Sequence, residues 1–287
     1  MILSAMKIHS SNANVQAYGC EALNDLAVNK NNKLTIAKEV GINTILSAMK
    51  THCSNSDVQA YGCASLLNLA LHDNNQVTIA AAGGIFTILS VMKIHSSNAN
   101  VQRYGCGALN NLADNHDNNS VTIAAAGGIN TIISVMETNS FNANVQAYGY
   151  AALLTLAENN EKSKVMIAAA GGILTILSVM KTHSSNASVQ HFGCGALMNL
   201  ALNNNNKVAI EAAGGISSTI LSVMKTHSSN ANVQYYGCGA LQSLALNNDN
   251  KRWQFPMLME KSQLSLLSEI MLSMPVCMIM VMEHFAH

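Results

Sequence analysis

The chain of 287 residues holds two prolines and one tryptophan, and only 10% of it is charged. Fifteen basic side chains balance fifteen acidic ones. A disordered chain combines low hydrophobicity with high net charge, so 49% hydrophobic residues at zero net charge exclude one. A nucleic-acid partner gripped by its phosphates needs a surplus of Lys and Arg on one face, and none is available. Nor does any run reach the roughly 18 apolar residues of a membrane helix, and Met1 to Ala13 has no apolar core of signal-peptide length. Neither nucleic acid nor membrane is therefore expected as a partner. Trp253, Pro256 and Pro275 all lie near the C-terminus, which leaves the first 250 residues free of proline.

Close cysteine pairs are also missing. Cys20, Cys63, Cys106, Cys194 and Cys238 follow a spacing of 43 or 44 residues, with Tyr150 filling the skipped place. Equivalent atoms of stacked units lie about 10 Å apart, whereas a disulfide needs Cα atoms within about 7 Å. The column reads as reduced thiols of a cytoplasmic or nuclear protein.

What the sequence does have is a repeat. Ile45-Leu46-Ser47-Ala48-Met49-Lys50 returns at Ile2, Ile88, Ile132, Ile176 and Ile220, and Val58-Gln59 returns at Val15, Val101, Val145, Val189 and Val233. Both markers step by 43, 43, 44, 44 and 44 residues, so they belong to one unit, and that period with helical spacing means an α-solenoid. Three helices are predicted per unit. The first runs over 76–82 and stops at Gly83-Gly84, where missing side chains permit a sharp redirection. The second covers about 87–95, and the third runs from 101 to about 113. Asn14, Asp57, Asn100, Asn144, Ser188 and Asn232 are expected as the N-caps of the third helices.

The segment Ile79-Ala80-Ala81-Ala82-Gly83-Gly84-Ile85, followed by Ile88-Leu89, Val101-Gln102 and Ala108-Leu109-Asn110-Asn111-Leu112-Ala113, resembles the armadillo repeat family. The resemblance covers residues 1 to about 250. It implies an all-α, right-handed α-solenoid of about six tandem three-helix repeats, with units starting near residues 1, 31, 74, 117, 161 and 204. It also implies that third helices line a concave groove where an Asn ladder holds a partner's extended backbone. The matching positions are Asp25, Asn68, Asn111, Thr155, Asn199 and Ser243, so Asn68, Asn111 and Asn199 keep the amide. The neighbouring Trp position is filled by Glu21, Ala64, Gly107, Ala151, Gly195 and Gly239.

Differences between copies mark the candidate binding face. On the third helix, Val15, Gly19, Ala22 and Leu26 form a stripe that barely varies, which reads as core. The glycine inside it costs about 1 kcal/mol of helix propensity, so its return in all six copies implies close helix approach. The stripe containing Ala17, Glu21, Asn24 and Val28 diverges instead, and its first position reads Ala17, Ala60, Arg103, Ala147, His191, Tyr235. Arg103, His191, Tyr235, Asn68, Asn111 and Asn199 are therefore the candidate contacts for a protein or peptide partner. A solvated groove without a partner is the alternative.

Signals for catalysis are weak. His9, His52, His95, His183 and His227 recur one per layer at the end of the second helix, where a His favours the helix dipole and cannot by itself make a metal site. The Gly-Gly pairs follow no strand and precede no Lys-Ser/Thr, so they are turns and not phosphate loops. Met6, Met49, Met92, Met136, Met180 and Met224 hold one place in the second helix and read as core. No enzyme, cofactor or metal is expected.

After Lys251 the repeat stops, and residues 252–287 carry seven of the sixteen methionines. Trp and Met each have a single codon ending in G, so some neighbours dictate the residue one frame over. Trp253-Gln254 then gives Ala and Met259-Glu260 gives Gly in the register of the preceding copy; after a one-residue deletion Met274-Pro275 gives Ala and Met280-Val281 and Met282-Glu283 give Gly in register, while Met278-Ile279 gives Asp at the variable position of Tyr235. The tail reads as a seventh unit out of frame, or as a capping helix carried by Leu264, Leu267, Ile270, Met271 and Met274. Met1 to Ser4 align with Thr44 to Ser47, so the first unit lacks its opening helix. These features fit an interaction scaffold binding along the concave face, a fragment of a larger signalling protein such as a repeat-containing kinase, or a non-functional truncated product.

Overall fold

A computed structural model of the chain describes residues 1–158 and 160–245. The readings of the tail as an out-of-frame repeat or a cap lie outside the described residues. The chain divides into two compact units, Met1–Leu156 and Ala157 onward. The first contains α1 (Ile2–Ile8), α2 (Ala13–Leu26), α3 (Lys30–Lys38), α4 (Gly41–Thr51), α5 (Ser56–Leu69), α6 (Asp73–Ala81), α7 (Gly84–Ile94), α8 (Ala99–Ala113), α9 (Asp117–Ala125), α10 (Gly128–Thr138) and α11 (Ala143–Ala157). The second contains α12 (Glu161–Ala169), α13 (Gly172–Thr182), α14 (Ala187–Leu200), α15 (Asn204–Ala212), a π-helical segment Gly215–Ile220 running into α16 (Leu221–Thr226), and α17 (Ala231–Ala245). Among the described residues there is no strand, and the fold is the all-α armadillo solenoid that the sequence implies. None of these helices is by itself long and apolar enough to cross a membrane.

The third helices start two residues earlier than expected. Their N-caps are Asn12, Asn55, Asn98 and Asn186, whose side chains accept the backbone N–H groups of the first turn. Asn142 and Asn230 do the same for Val145 and Val233. The residues Asn14, Asp57 and Asn100 donate their own backbone N–H groups to these caps. Asparagine repeats at both places, and only the upstream one has the extended backbone that a cap requires.

Second and third helices are joined by the Gln of the Val-Gln marker. In all six copies its Nε2 donates to two carbonyls at the end of the second helix, seven and ten residues back, at 2.7–2.9 Å. The methionine carbonyl, ten residues back, belongs to the last turn and has no intrahelical donor, so the amide does the work of a C-cap from another helix, and the carbonyl seven residues back also accepts the N–H of the asparagine cap. The glycine three residues on lets the two helices approach. A Cβ added at Gly19, Gly62, Gly105, Gly149, Gly193 or Gly237 would lie 2.5–2.7 Å from Cγ of the methionine in the second helix. The Met and Gly columns are thus one contact, and both expectations of core packing hold.

Copies within a unit are tied by side chains that reach back one repeat. The ring Nε2 of His52 meets the Ser10 carbonyl at 2.8 Å, His95 meets Cys53 at 2.8 Å, and His227 meets Ser184 at 2.7 Å, which places the proton on Nε2. Asn139 replaces the ring in its copy and donates to Ser96 at 3.1 Å. The histidine column is therefore an inter-repeat ladder in addition to any dipole effect.

Two irregularities show what the turn demands. Gly83, Gly127, Gly171 and Gly214 take φ of 77–80°, but the same place in the second copy is Val40 at φ 63°. A β-branched residue in the left-handed region costs about 1–2 kcal/mol. In the last copy Ser217-Ser218 supplies one residue more than its counterparts, and the chain absorbs it as the π-helical segment. The insertion displaces a hydrogen bond. Thr44, Thr87, Thr131 and Thr175 donate Oγ1 to the carbonyl four residues back, at the turn, whereas Oγ1 of Thr219 is buried without a partner. Val40→Gly is expected to raise the unfolding free energy by about 1–2 kcal/mol, measured by urea denaturation, because it removes strain at an exposed side chain. A neutral or destabilising result would mean that Val40 packs in a way that offsets its backbone.

Candidate functional site

The third helices α2, α5, α8 and α11 of the first unit pack side by side, and the residues they leave uncovered define its candidate face. The first position of the divergent stripe is buried where it is alanine, at Ala17 and Ala60, and half-buried at Arg103. The next residue is exposed at Tyr18 and Tyr148 and half-buried at Tyr61 and Tyr104. Tyr18, Tyr61, Tyr104 and Tyr148 form an aromatic column there, with Tyr18 at 71% exposure and Tyr148 at 38%. Phe192 and Tyr236 continue the pattern in the second unit. The Tyr-Gly pair of each copy carries this signal, and attention to the glycine alone misses the ring beside it.

Tyr61 and Tyr148 lean toward the preceding repeat, over the position that the family pattern fills with Trp. A Cβ added at Gly107 would come within 3.0 Å of Cδ1 of Tyr148. The Tyr61 hydroxyl sits beside the Glu21 carboxylate, which pushes the phenol above its ordinary pKa. Small or acidic residues at this position make room for a ring supplied by the next copy.

Asn68 and Asn111 point along the same face, and their donors are engaged. Asn68 Nδ2 donates to the Asn24 side chain at 2.9 Å, and Asn111 Nδ2 donates to the Leu67 carbonyl at 3.0 Å, each one repeat back. Thr155 donates to Asn110 Oδ1 at 2.8 Å in the same direction. These side chains bind neighbouring third helices to one another. Arg103 donates from Nη2 to the Tyr104 hydroxyl at 2.6 Å, with its guanidinium carbon 4.3 Å from the ring centroid. Its Nε is buried with no acceptor.

In the second unit, His191 and Tyr235 meet through Tyr236. The His191 ring stacks on Tyr236 at a centroid distance of 5.9 Å and lies 3.9 Å from Phe192, and Tyr235 meets Tyr236 edge-on at 5.2 Å. Burial holds the His191 pKa below its usual value, so the ring is neutral at pH 7. Asn199 is buried in α14. Asn68 and Asn111 thus hold equivalent places on α5 and α8 of one unit, with Arg103 eight residues before Asn111 and about 12 Å away along α8, and His191 and Tyr235 each contact Tyr236 in the other.

Among the described residues no three His, Cys, Asp or Glu side chains gather to hold a metal. Cys20, Cys63, Cys106 and Cys194 are free and buried, and Cys53 is free and exposed. Burial pushes the thiols of Cys20, Cys106 and Cys194 up to about 12, and that of Cys63 in the same direction. Tyr150, in the skipped place, is fully buried. Since the thiolate is the nucleophile, iodoacetamide at pH 8 is expected to modify Cys53 in the native protein and to spare Cys20, Cys63, Cys106 and Cys194 until denaturant is added. Rapid native labelling of Cys63, read by peptide mass, would contradict the packing of α5.

A family model described as LRRK2 ARM repeat matches residues 87–266, more than half of the chain. No curated protein matches the sequence. Among solved structures, an engineered protein superposes with a TM-score of 0.81 at 21% identity, covering 96% of this chain and 64% of that one. A second engineered protein gives 0.73 at 22% identity, covering 88% and 96%. A designed armadillo repeat protein in complex with the peptide (KR)4 gives 0.71 at 16% identity, covering 85% and 98%.

Proposed function

The chain belongs to the LRRK2 ARM repeat family, and from that premise we propose that it is a non-catalytic scaffold that binds a protein or peptide along the face of its third helices. The observation that carries this reading is the division of labour in each repeat. First and second helices spend their polar groups on turns and neighbouring copies, and the third helices alone present a column of partly exposed rings. Aromatic side chains offer large contact area at small entropic cost, and they dominate the energetics of interfaces. A peptide complex is recorded for the designed armadillo protein of similar fold, which fits this use of the surface.

The contacts proposed are Arg103, Asn68 and Asn111 in the first unit and His191, Tyr235 and Asn199 in the second, each set acting within its own unit. The amides of Asn68 and Asn111 act chiefly by holding third helices at fixed spacing, so the rings and Arg103 supply the direct contact. A cytoplasmic or nuclear location suits the four buried free thiols.

Selection of binders from a displayed random peptide library against the full chain tests this reading. Replacing Arg103, His191 and Tyr235 together by alanine is expected to weaken the selected peptides by at least about tenfold, since loss of central aromatic and Arg contacts costs on the order of 1–2 kcal/mol each. Replacing the exposed Phe86 and Val121 of α7 and α9 is expected to leave them unchanged. The opposite pattern would move the site to the first and second helices.

A further inference from the structure

The rings of the first unit stand in a row whose charge changes sign along its length. At one end the Tyr61 hydroxyl adjoins Glu21 and feels the charge of Asp57. Tyr104 is the next ring in the row and is close enough to act on Tyr61. Beyond it stands Arg103, the only cation on α2, α5, α8 and α11. The acidic groups on these four helices are Glu21, Asp25 and Asp57. Helices packed in parallel are about 8–10 Å apart, so the Tyr61 ring on α5 and the Tyr104 ring on α8, against which Arg103 lies, are separated by one layer.

Arg103 shows how each end would be used. Its guanidinium lies over the Tyr104 ring at 4.3 Å, so a ring of this column accepts a cation on its face. Beside Tyr61 the equivalent position is Ala60, so its own helix lays no guanidinium over the half-buried ring, and a carboxylate adjoins its hydroxyl. Arg103 itself is charged without compensation. One of its N–H groups goes to the Tyr104 hydroxyl, its Nε is buried without an acceptor, and among the described residues no carboxylate lies within ion-pair distance. A guanidinium fork with unused donors is suited to a carboxylate.

We propose that this row reads a dipolar peptide: an extended segment with a Lys or Arg for the Tyr61–Glu21 end and an Asp or Glu for Arg103, about three residues apart. The spacing follows from one layer of about 10 Å and a rise of about 3.3 Å per extended residue. It rests on the reading of the third-helix face as a peptide site and adds the charge order of the occupant. A purely basic segment would face Arg103 with like charge, and a purely acidic one would face Glu21 and Asp57.

A cellulose-bound array of 12-residue peptides of Ser, Ala and Gly tests it. Each peptide carries one Arg and one Glu at spacings of one to six residues, with Gln-for-Arg and Gln-for-Glu controls, and is probed with the full chain. Binding is expected to peak at a spacing of about three and to fall about tenfold in either control. Arg103→Gln should remove the dependence on the peptide's Glu, and Glu21→Gln the dependence on its Arg. Circular dichroism establishes that both variants are folded. If spacing and charge have no influence while Tyr61→Ala and Tyr148→Ala still abolish binding, the charge order is wrong and the face is right. If no peptide binds the folded chain, both are wrong.

Discussion

Everything on the third-helix face depends on one buried amide per repeat. The Gln of the Val-Gln pair closes two carbonyls at the end of the second helix, and it does so in every copy with nearly the same geometry. Leaving the buried methionine carbonyl of the pair unpaired would cost about 1–3 kcal/mol, while the second carbonyl also accepts the N–H of the asparagine cap. The link also fixes the rotation of the third helix about its own axis. Turning it would pull the amide away and drive the glycine backbone off the methionine beneath it. Because that rotation is fixed, the residue before the glycine must point outward, and that residue is aromatic in all six copies.

The same logic explains how polar groups are distributed. In a stack of repeats each layer has polar atoms at its turns that the next layer would bury. His52, His95 and Asn139 satisfy such atoms on one side, and Asn68, Asn111 and Thr155 do so between third helices. These are internal obligations, and they leave little amide capacity to hold a partner's backbone. Recognition is then left to rings and to the few charges that stand beside them. The surface is sparing in charge because so much of its polar chemistry is committed to stacking.

The period and the three-helix unit were legible in the sequence because the markers recur with the spacing of helices in contact. The glycine column also announced its role, since nothing but close approach justifies that residue inside a helix six times. Other features were hidden by repetition itself. Asn12 and Asn14 both recur, so pattern alone did not tell the cap from the residue it caps, and backbone conformation decided it. The tyrosine column does not stand out among variable positions because it changes only once, to Phe192. The strain at Val40 shows only against the φ angles of its glycine counterparts. The hydrogen bonds of Asn68 and Asn111 to the preceding helix depend on the offset between layers, which one repeat does not reveal.

The central claim is that the third helices, held by the glutamine joint, form the recognition face. Amide-resolved hydrogen exchange of the full chain, with and without a saturating selected peptide, measures this directly. The account predicts that added protection concentrates in α5, α8 and α14. Protection confined to α6, α9 and α12, with those third helices unchanged, would contradict it.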